Sequence, residues 1–267
     1  LGEFDSALAV LDKALALDPA SVIAINNRGH VLQEMDQLDE AEILFRRAIS
    51  LKPDYVDAYN NLGTTQQLQD QPEIAIKTFR QGLTTHPENP DLHWNLALAL
   101  LQLGDYQNGW KEYEWRWKTT LAKKPAHEFQ KYLWDGKSLN GKTILLFAEQ
   151  GLGDTIQFIR YVEEVSKFNG KIIVECQRPL FRLLSNIPEI DHLVVSGDPL
   201  PKYDVCAPLL SLPYIMGTTA TSIPANIPYI CPDNDGLYLN SLKRENKNYF
   251  NLLSKYCSRF EFKRKKN

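Results

Sequence analysis

The sequence lacks the features of a membrane, secreted or metal-binding protein. It has no uninterrupted apolar run of about 18 residues, the length that a membrane-spanning helix needs. Its first residues, LGEFDSALAV, have neither the basic start nor the apolar centre of a secretion signal. Its cysteines form no CxxC pair and are too scattered to suggest a zinc site or a disulfide framework; they are Cys176, Cys206, Cys231 and Cys257. We therefore expect a cytoplasmic protein with structural thiols, no membrane span and no metal.

Charge is present but unevenly distributed. The net charge is −3, yet the stretch from Lys243 to Asn267 contains nine Lys or Arg against two Glu. This surplus of seven means that the residues before Lys243 carry a net charge of −10. We expect residues 236–267 to form a solvated, partly disordered basic tail rather than a nucleic-acid or lipid site.

A 34-residue period runs through the first half of the chain. Proline, asparagine, a small residue and a large apolar residue all recur at this spacing: Pro19, Pro53 and Pro87; Asn27, Asn61 and Asn95; Gly29, Gly63 and Ala97; Leu11, Phe45 and Phe79. Such a period is typical of stacked helix pairs. The sequence resembles the tetratricopeptide repeat, in which each 34-residue unit is a helix, a turn and a second helix closed by proline. We expect an α-solenoid of such repeats over residues 1–122.

The third unit departs from this pattern near its end. Gly109, Tyr113, Arg116 and Leu121 replace the Ala, Phe, Ala and Pro that the period predicts. The segment NGWKEYEWRWK is also rich in aromatic side chains, which are usually buried. We expect this segment to pack against a second domain.

Three asparagines at one phase of the period, Asn27, Asn61 and Asn95, allow two interpretations. Each alone could be a solvated helix residue or could bond a neighbouring turn. Stacked along one wall of a solenoid, they form a ladder of amides that offer donors and acceptors to the main chain of an extended peptide. Such ladders occur in the superhelix of the O-linked N-acetylglucosamine transferases, which this array resembles. The second interpretation predicts a protein or peptide partner in a groove with an acidic lip at Asp57 and Asp91.

After LAKKPAHEF, the hydrophobic pattern changes to alternating strands and helices. Short apolar runs predict strands at TILLFA, KIIVEC, HLVVSG and YDVCAPLL. Apolar residues recur at helical spacing from Ile156 to Val165, with a helix stop at Gly170, and Pro179 begins another helix. This alternation predicts a parallel sheet with helices on both faces.

The segment EQGLGDT follows the first predicted strand, at the edge where such sheets bind ligands. A dinucleotide-binding turn, G-x-G-x-x-G, would need a third glycine where Ile156 stands, and Glu175 is the only further support for one. A nicotinamide or flavin enzyme is therefore disfavoured. Asp154 and Gln157 have the spacing of a capping box, which stabilises a helix start without any ligand.

Longer stretches resemble the amino-terminal half of glycosyltransferases with the two-lobed GT-B architecture: YLWDGKSLNGKTILLFAEQGLGDTIQFIRYV, LPKYDVCAPLLSLPYIMGT and IPANIPYI. The sequence looks like bacterial proteins in which tetratricopeptide repeats precede a heptosyltransferase-like module. The resemblance implies an α/β, Rossmann-like half of a GT-B fold over residues 123–235. In that architecture the first lobe holds the acceptor and the second holds the nucleotide sugar.

The resemblance also implies a catalytic site. Heptosyltransferases carry a Gly-Asp turn after their first strand, with the aspartate as proposed general base, and Gly153 and Asp154 match that pair. A carboxylate at this place can take the proton of an attacking acceptor hydroxyl. The acceptor would lie against the turn and the first helical N–H groups, at Gln150, Gly151, Gly153, Thr155 and Gln157. A cap and a base are compatible roles for Asp154.

Only 35 residues follow Pro232, and they show no strand and helix alternation for a second lobe. We expect the chain to be a fragment or a truncated product with no cofactor of its own, the nucleotide-sugar donor belonging to a complete relative. The predicted function is a repeat protein that binds a protein or peptide and carries the acceptor half of a nucleotide-sugar-dependent transferase, inactive alone. The alternative is a non-catalytic interaction scaffold.

Overall fold

The protein, represented by a computed structural model, is described at residues 2–119 and 129–230. The chain divides into two compact units. One comprises Leu1–Lys124 and Met216–Ile223, and the other comprises Pro125–Ile215 and Pro224–Asn267. The basic tail predicted at residues 236–267 lies outside the described residues, as do Cys231 and Cys257.

The first unit is built from helices whose boundaries follow the 34-residue period. They are α1 (Gly2–Leu17), α2 (Val22–Glu34), α3 (Leu38–Leu51), α4 (Val56–Leu68), α5 (Pro72–Thr85), α6 (Pro90–Gln102) and α7 (Tyr106–Tyr113). Helices α2, α4 and α6 begin 34 residues apart, and so do α3, α5 and α7. Each even-numbered helix packs against the helix that follows it. The helical solenoid predicted from the period is confirmed.

A glycine in the first helix of a pair makes room for a phenylalanine in the second. A Cβ atom on Gly29 would lie 2.7 Å from Cε1 of Phe45, and a Cβ atom on Gly63 would overlap the ring of Phe79. Both phenylalanine side chains are fully buried. The period in the sequence is therefore a packing period, since any side chain at these glycines would displace a core ring.

The third helix pair ends in a short turn instead of a full second helix. Helix α7 stops at Tyr113, and the 3-10 turn Glu114–Lys118 follows it. Within this unit, the aromatic residues pack on α6: the Trp94 and Tyr113 rings have centroids 4.8 Å apart, and His93 stacks on Trp115 at 3.7 Å. These ring contacts account for the departure from the repeat pattern. Packing of the segment on the second domain stays a prediction.

The core between α4 and α5 contains a polar contact at positions that are apolar in the preceding helix pair, α2 and α3. Thr78 Oγ1 donates a hydrogen bond of 2.7 Å to Gln66 Oε1, and both side chains are buried. The residues one period earlier are Leu32 and Leu44, which belong to an apolar cluster. Gln66 Nε2 has no hydrogen-bond partner among the described residues. The contact is thus only half satisfied, which is unfavourable for a buried amide.

Replacing this polar pair by leucines is expected to stabilise the repeats, whereas breaking it should destabilise them. Thr78→Val leaves the Gln66 oxygen buried without a donor and should lower the free energy of unfolding by about 1–3 kcal/mol. Gln66→Leu combined with Thr78→Leu restores the apolar pair found one period earlier, so its stability should equal or exceed that of the wild type. Denaturant titration followed by circular dichroism measures both variants. A double variant less stable than Thr78→Val would contradict this interpretation.

The second unit contains a small parallel sheet. Its strands are β1 (Thr143–Phe147), β2 (Lys171–Cys176), β3 (His192–Val195) and β4 (Val205–Pro208). They are all parallel and lie in the order β3-β2-β1-β4. Residues 144–147 of the central strand β1 are all buried, as expected for a sheet covered on both faces. Each strand falls within an apolar run that predicts it, so the parallel sheet is confirmed.

The helix predicted after β1 is divided into α8 (Leu152–Phe158) and α9 (Tyr161–Ser166). The sequence pattern places its stop at Gly170, but the residue with a left-handed backbone is Asn169, whose φ is 58°. Gly170 has a different reason to be glycine, because a Cβ atom there would lie 2.7 Å from the carbonyl oxygen of Lys142.

The remaining helices of the second unit are short. The helix predicted at Pro179 begins as the 3-10 turn Arg178–Leu180 and continues as α10 (Phe181–Leu184). Another 3-10 turn, Leu209–Ser211, follows β4 and leads into α11 (Leu212–Ile215).

Both described cysteines lie in the sheet. Cys176 ends β2 and Cys206 lies within β4, and neither side chain is exposed. Burial raises the pKa of each thiol to about 11, and the neighbouring Glu175 adds to the shift at Cys176. Because both thiols stay protonated at neutral pH, they have the low reactivity of structural cysteines.

Candidate functional site

Asparagines of the repeats are bonded in pairs across neighbouring helices. Asn61 Nδ2 donates to Asn26 Oδ1 at 3.0 Å, and Asn95 Nδ2 donates to Asn60 Oδ1 at 2.7 Å. The first bond joins α2 to α4, and the second joins α4 to α6. We call the set Asn27, Asn61 and Asn95 the amide row. The 34-residue period predicts the row, but the pairing appears only in the structure.

The amide row keeps hydrogen-bonding groups that no part of the described chain uses. Asn27 is exposed, whereas Asn61 and Asn95 are half-buried. Across residues 2–119 and 129–230, the Asn27 amide and the Oδ1 atoms of the other two have no hydrogen-bond partner. Each pairing uses one of the two N–H groups of its donor amide, so the row retains donors as well as acceptors.

Asp57 and Asp91 lie beside the amide row. Both are exposed and lie in the first turn of their helices. Asp57 precedes Asn61 by four residues, and Asp91 precedes Asn95 by four, so each aspartate lies on the same helix face as its asparagine. Tyr55 is a neighbour of Asp57: burial raises the pKa of this tyrosine, and the Asp57 carboxylate raises it further. Carboxylates at helix N-termini interact favourably with the helix dipole, which accounts for both residues without a ligand.

The turn QGLGDT lies where the order of the sheet reverses. The chain runs from β1 through β2 to β3 on one side and then returns to β4 on the other side of β1. In open parallel sheets, ligands bind at the carboxyl ends of the strands at such a reversal. The turn follows the carboxyl end of β1, and α8 contacts the 3-10 turn that follows β4. This edge of the sheet is therefore the second candidate site.

Asp154 lies at the third position of α8 and not at its N-cap. The helix begins at Leu152, and Gly151 is the extended N-cap residue. The Gly151 N–H donates to Asp154 Oδ2 at 3.0 Å. The predicted capping box of Asp154 with Gln157 is therefore wrong, because glycine has no capping side chain and the carboxylate reaches back to its N–H instead. Gln157 is exposed, one turn further along the chain.

The environment of Asp154 favours its protonated form. Burial raises the pKa of Asp154 above its ordinary value of 3.8, although hydrogen bonds from the backbone N–H groups of Gly151 and of Asp154 itself oppose this shift. A raised pKa makes the carboxylate a stronger base. The same shift lowers the stability of the fold as pH rises from 3.8 through the folded-state pKa, since the buried carboxylate then ionises.

Gln177, which no sequence motif predicted, anchors the turn. It directly follows β2; its Nε2 donates to the Gln150 carbonyl at 2.8 Å, and its Oε1 accepts from Thr155 Oγ1 at 3.0 Å. Thr155 is only 1% exposed, and its hydroxyl also lies 3.3 Å from the Gly151 carbonyl oxygen, so both of its hydrogen-bond acceptors are within the protein. The other residues predicted to contact an acceptor are exposed: Gln150, Gly151, Gly153 and Gln157. The position of Gln177 at the end of the strand beside β1 is a signal that could have identified it.

A second unpredicted set of contacts holds segment 224–230 against α9 and its N-cap residue, Arg160. The Arg160 guanidinium donates to the Tyr229 hydroxyl at 3.1 Å and lies 4.5 Å from the centre of that ring. Asn226 Nδ2 donates to the Glu163 carboxylate at 2.8 and 3.0 Å. No periodic pattern in the sequence marks these residues as partners.

Within the part of the chain that the structure describes, no cluster of His, Cys, Asp or Glu could hold a metal ion. None of the described helices is long and apolar enough to cross a membrane.

Comparison with known families identifies the repeats. The sequence profile of the family described as tetratricopeptide repeat matches residues 20–88, which contain helices α2 to α5. The repeats are therefore tetratricopeptide repeats. Protein FlbA of Caulobacter vibrioides is 34% identical over 74 residues, which make up 28% of this chain and 12% of FlbA. The chain thus spans only about an eighth of that relative's length.

Several solved structures are similar to this chain. MamA is 21% identical over 45% of this chain and 70% of its own, with a TM-score of 0.41. YrrB, a TPR protein with an unusual peptide-binding site, is 22% identical over 45% of this chain and 61% of its own, with a TM-score of 0.38. A mutant O-GlcNAc transferase of Thermobaculum terrenum is 17% identical over 72% of this chain and 38% of its own, with a TM-score of 0.41.

Proposed function

We propose that the repeats bind an extended segment of a protein or peptide partner along the amide row. The observation that carries this proposal is the set of unused amide groups on three successive repeats. An extended main chain presents C=O and N–H groups in alternation, and an amide side chain can bond to both. Repeat solenoids also commonly use such continuous surfaces for binding.

Replacing Asn27, Asn61 and Asn95 together by alanine is expected to abolish most peptide binding. Each lost hydrogen bond should cost about 0.5–1.5 kcal/mol of binding free energy. The variant should also lose about 1–3 kcal/mol of stability, because the two bonds to Asn26 and Asn60 disappear. Capture of a randomised peptide library, followed by titration of the captured peptides, measures the first effect, and thermal unfolding measures the second.

The matched control is Asn26→Ala with Asn60→Ala, which removes the same two bonds but keeps the amide row. It should lose as much stability as the triple variant and retain much more binding. Equal loss of binding in the two variants would show that capture depends on the stacking of the repeats and not on the row itself.

We also propose that the second unit is the Rossmann-like, acceptor-binding half of a nucleotide-sugar-dependent transferase of the GT-B type. The strand order β3-β2-β1-β4 is compatible with half of a doubly wound sheet. Asp154 at the sheet edge, with its raised pKa, supports the role of general base. The acceptor oxygen would bond to the anomeric carbon as the bond to the nucleoside diphosphate breaks. The acceptor proton would pass to Asp154, and the diphosphate would leave with the bonding electrons.

An acceptor half is not expected to bind the donor. Calorimetric titration of this chain with nucleoside diphosphates and nucleotide sugars should show nothing tighter than about millimolar, or roughly −4 kcal/mol. Binding in the micromolar range would mean that the second unit is a donor lobe.

A non-catalytic scaffold is the second candidate function, and one contact favours it. The Asp154 carboxylate already accepts the Gly151 N–H, as a purely structural helix cap would. In this alternative the sheet edge binds no acceptor, and only the repeats recognise a partner.

A further inference from the structure

The helices that carry the amide row contain little positive charge. Over α2, α4 and α6 the acidic residues are Glu34, Asp57 and Asp91, and the single Lys or Arg is Arg28. Arg28 Nε donates to Asp12 at 2.8 Å, so a carboxylate of α1 already neutralises it. The three acidic residues on the row's own helices are exposed. A partner that lies on these helices therefore meets negative charge.

Most of the other basic residues of these two central repeats lie on the second helix of each pair; the exception, Lys52, directly follows α3, and its Nζ lies 5.7 Å from the centre of the Tyr55 ring. Arg46 and Arg47 belong to α3, and Lys77 and Arg80 belong to α5. Arg46 pairs with the Glu42 carboxylate within α3, and Arg47 donates to the Pro19 carbonyl. These second helices also carry four carboxylates, at Asp39, Glu40, Glu42 and Glu73, so they contain both signs in equal number. Helices α4 and α6, by contrast, contain Asp57 and Asp91 and no Lys or Arg.

The spacing of the Asp57 and Asp91 carboxylates determines which spacing of cationic side chains in a peptide partner would match them. Asp57 and Asp91 are one repeat apart, on helices that the Asn60–Asn95 hydrogen bond joins directly. Axes of packed helices are about 8–10 Å apart. One turn of a polyproline II helix, three residues long, rises about 9.3 Å. Side chains on one face of a β-strand are only about 6.6 Å apart, which fits less well.

We propose that the partner segment is cationic and adopts the polyproline II conformation, with Lys or Arg at every third residue. Its main chain would bond to the amide row, and successive cations would lie beside Asp57 and Asp91. This inference rests on the proposed peptide binding by the repeats and specifies the chemistry of the peptide.

Fluorescence anisotropy with labelled peptides tests the inference on the full chain. Three peptides of proline and alanine are compared, each about 12 residues long so that it spans the three helices. The first carries lysine at every third position. The second carries the same number of lysines in one block, and the third carries glutamate at every third position. At low ionic strength the first peptide should bind about tenfold more tightly than the third, and more tightly than the second. This preference should disappear in Asp57→Asn combined with Asp91→Asn.

The control is Glu40→Gln combined with Glu73→Gln, which removes two exposed charges from the first turns of α3 and α5. This variant should keep the preference, since those carboxylates lie on the other helices. Equal binding of all three peptides by the wild type, or a preference that survives the Asp57 and Asp91 substitutions, would overturn the inference while peptide binding stands. If the wild type binds none of these three peptides, the inference fails, whereas peptide binding by the repeats fails only if the randomised library also yields no captured peptide.

Discussion

Phe79→Ala is expected to lower the free energy of unfolding of the repeats by about 3–5 kcal/mol. The Phe79 ring is fully buried, and it rests where Gly63 has no side chain. Removing the ring leaves a cavity between α4 and α5 that the backbone can only partly close. Because each repeat is stabilised by its neighbours, the loss should extend beyond this one pair. Denaturant titration followed by circular dichroism measures the change.

Two further substitutions test whether the effect comes from the match between glycine and phenylalanine. Ile43→Ala removes an apolar side chain that is 65% exposed on α3, so stability should change by less than about 0.5 kcal/mol. Gly63→Ala places a methyl group within the position of the Phe79 ring and should cost about 1–3 kcal/mol. A loss below about 1 kcal/mol in Phe79→Ala would show that the helices collapse onto the cavity.

Asp154→Asn, in a chain joined to a donor lobe, is expected to fold normally but to lower sugar transfer by about 100-fold or more. The asparagine retains an oxygen that can accept the Gly151 N–H, so the start of α8 keeps its cap. It cannot accept the acceptor proton. Since burial raises the pKa of Asp154, wild-type transfer should increase with pH through a midpoint above 3.8. The asparagine variant should lack that step, and initial rates measured across the pH range test both expectations.

Asp154→Ala separates the role of base from the role of cap. It removes the hydrogen bond to Gly151 as well as the base, so it should also lose about 0.5–1.5 kcal/mol of stability. If Asp154→Asn transfers sugar like the wild type and only the alanine variant is less stable, Asp154 is a helix cap, and the scaffold function is favoured.

The helices of the repeats could be predicted from the sequence because one contact recurs in two successive repeats. Gly29 and Gly63 each receive a buried phenylalanine from the next helix, so composition and packing have the same period. The strands were predictable because a sheet covered on both faces needs continuous apolar runs. No sequence pattern indicated the division of α8 from α9. The helix stop was predicted at Gly170 and not at Asn169, because asparagine as well as glycine can adopt the left-handed conformation.

The candidate sites were less predictable, since their contacts join residues far apart in the chain. The period located Asn61 and Asn95, but the partners Asn26 and Asn60 follow from how neighbouring helices face each other. The N-cap at Gly151 was missed because glycine carries no capping group that a pattern could reveal. Gln177 holds the turn from a neighbouring strand, and only the strand order makes that contact visible.

Segment 224–230 differs from the sheet in the contacts that hold it in place. Side chains of Arg160 and Glu163 hold it, whereas strands β1 to β4 share a ladder of backbone hydrogen bonds. Individual hydrogen bonds of this kind contribute about 0.5–1.5 kcal/mol, so the segment can open locally while the sheet stays intact. Among the described residues, no backbone N–H of this segment donates a hydrogen bond, so its amides should exchange rapidly, whereas exchange in β1 reports on unfolding of the sheet as a whole.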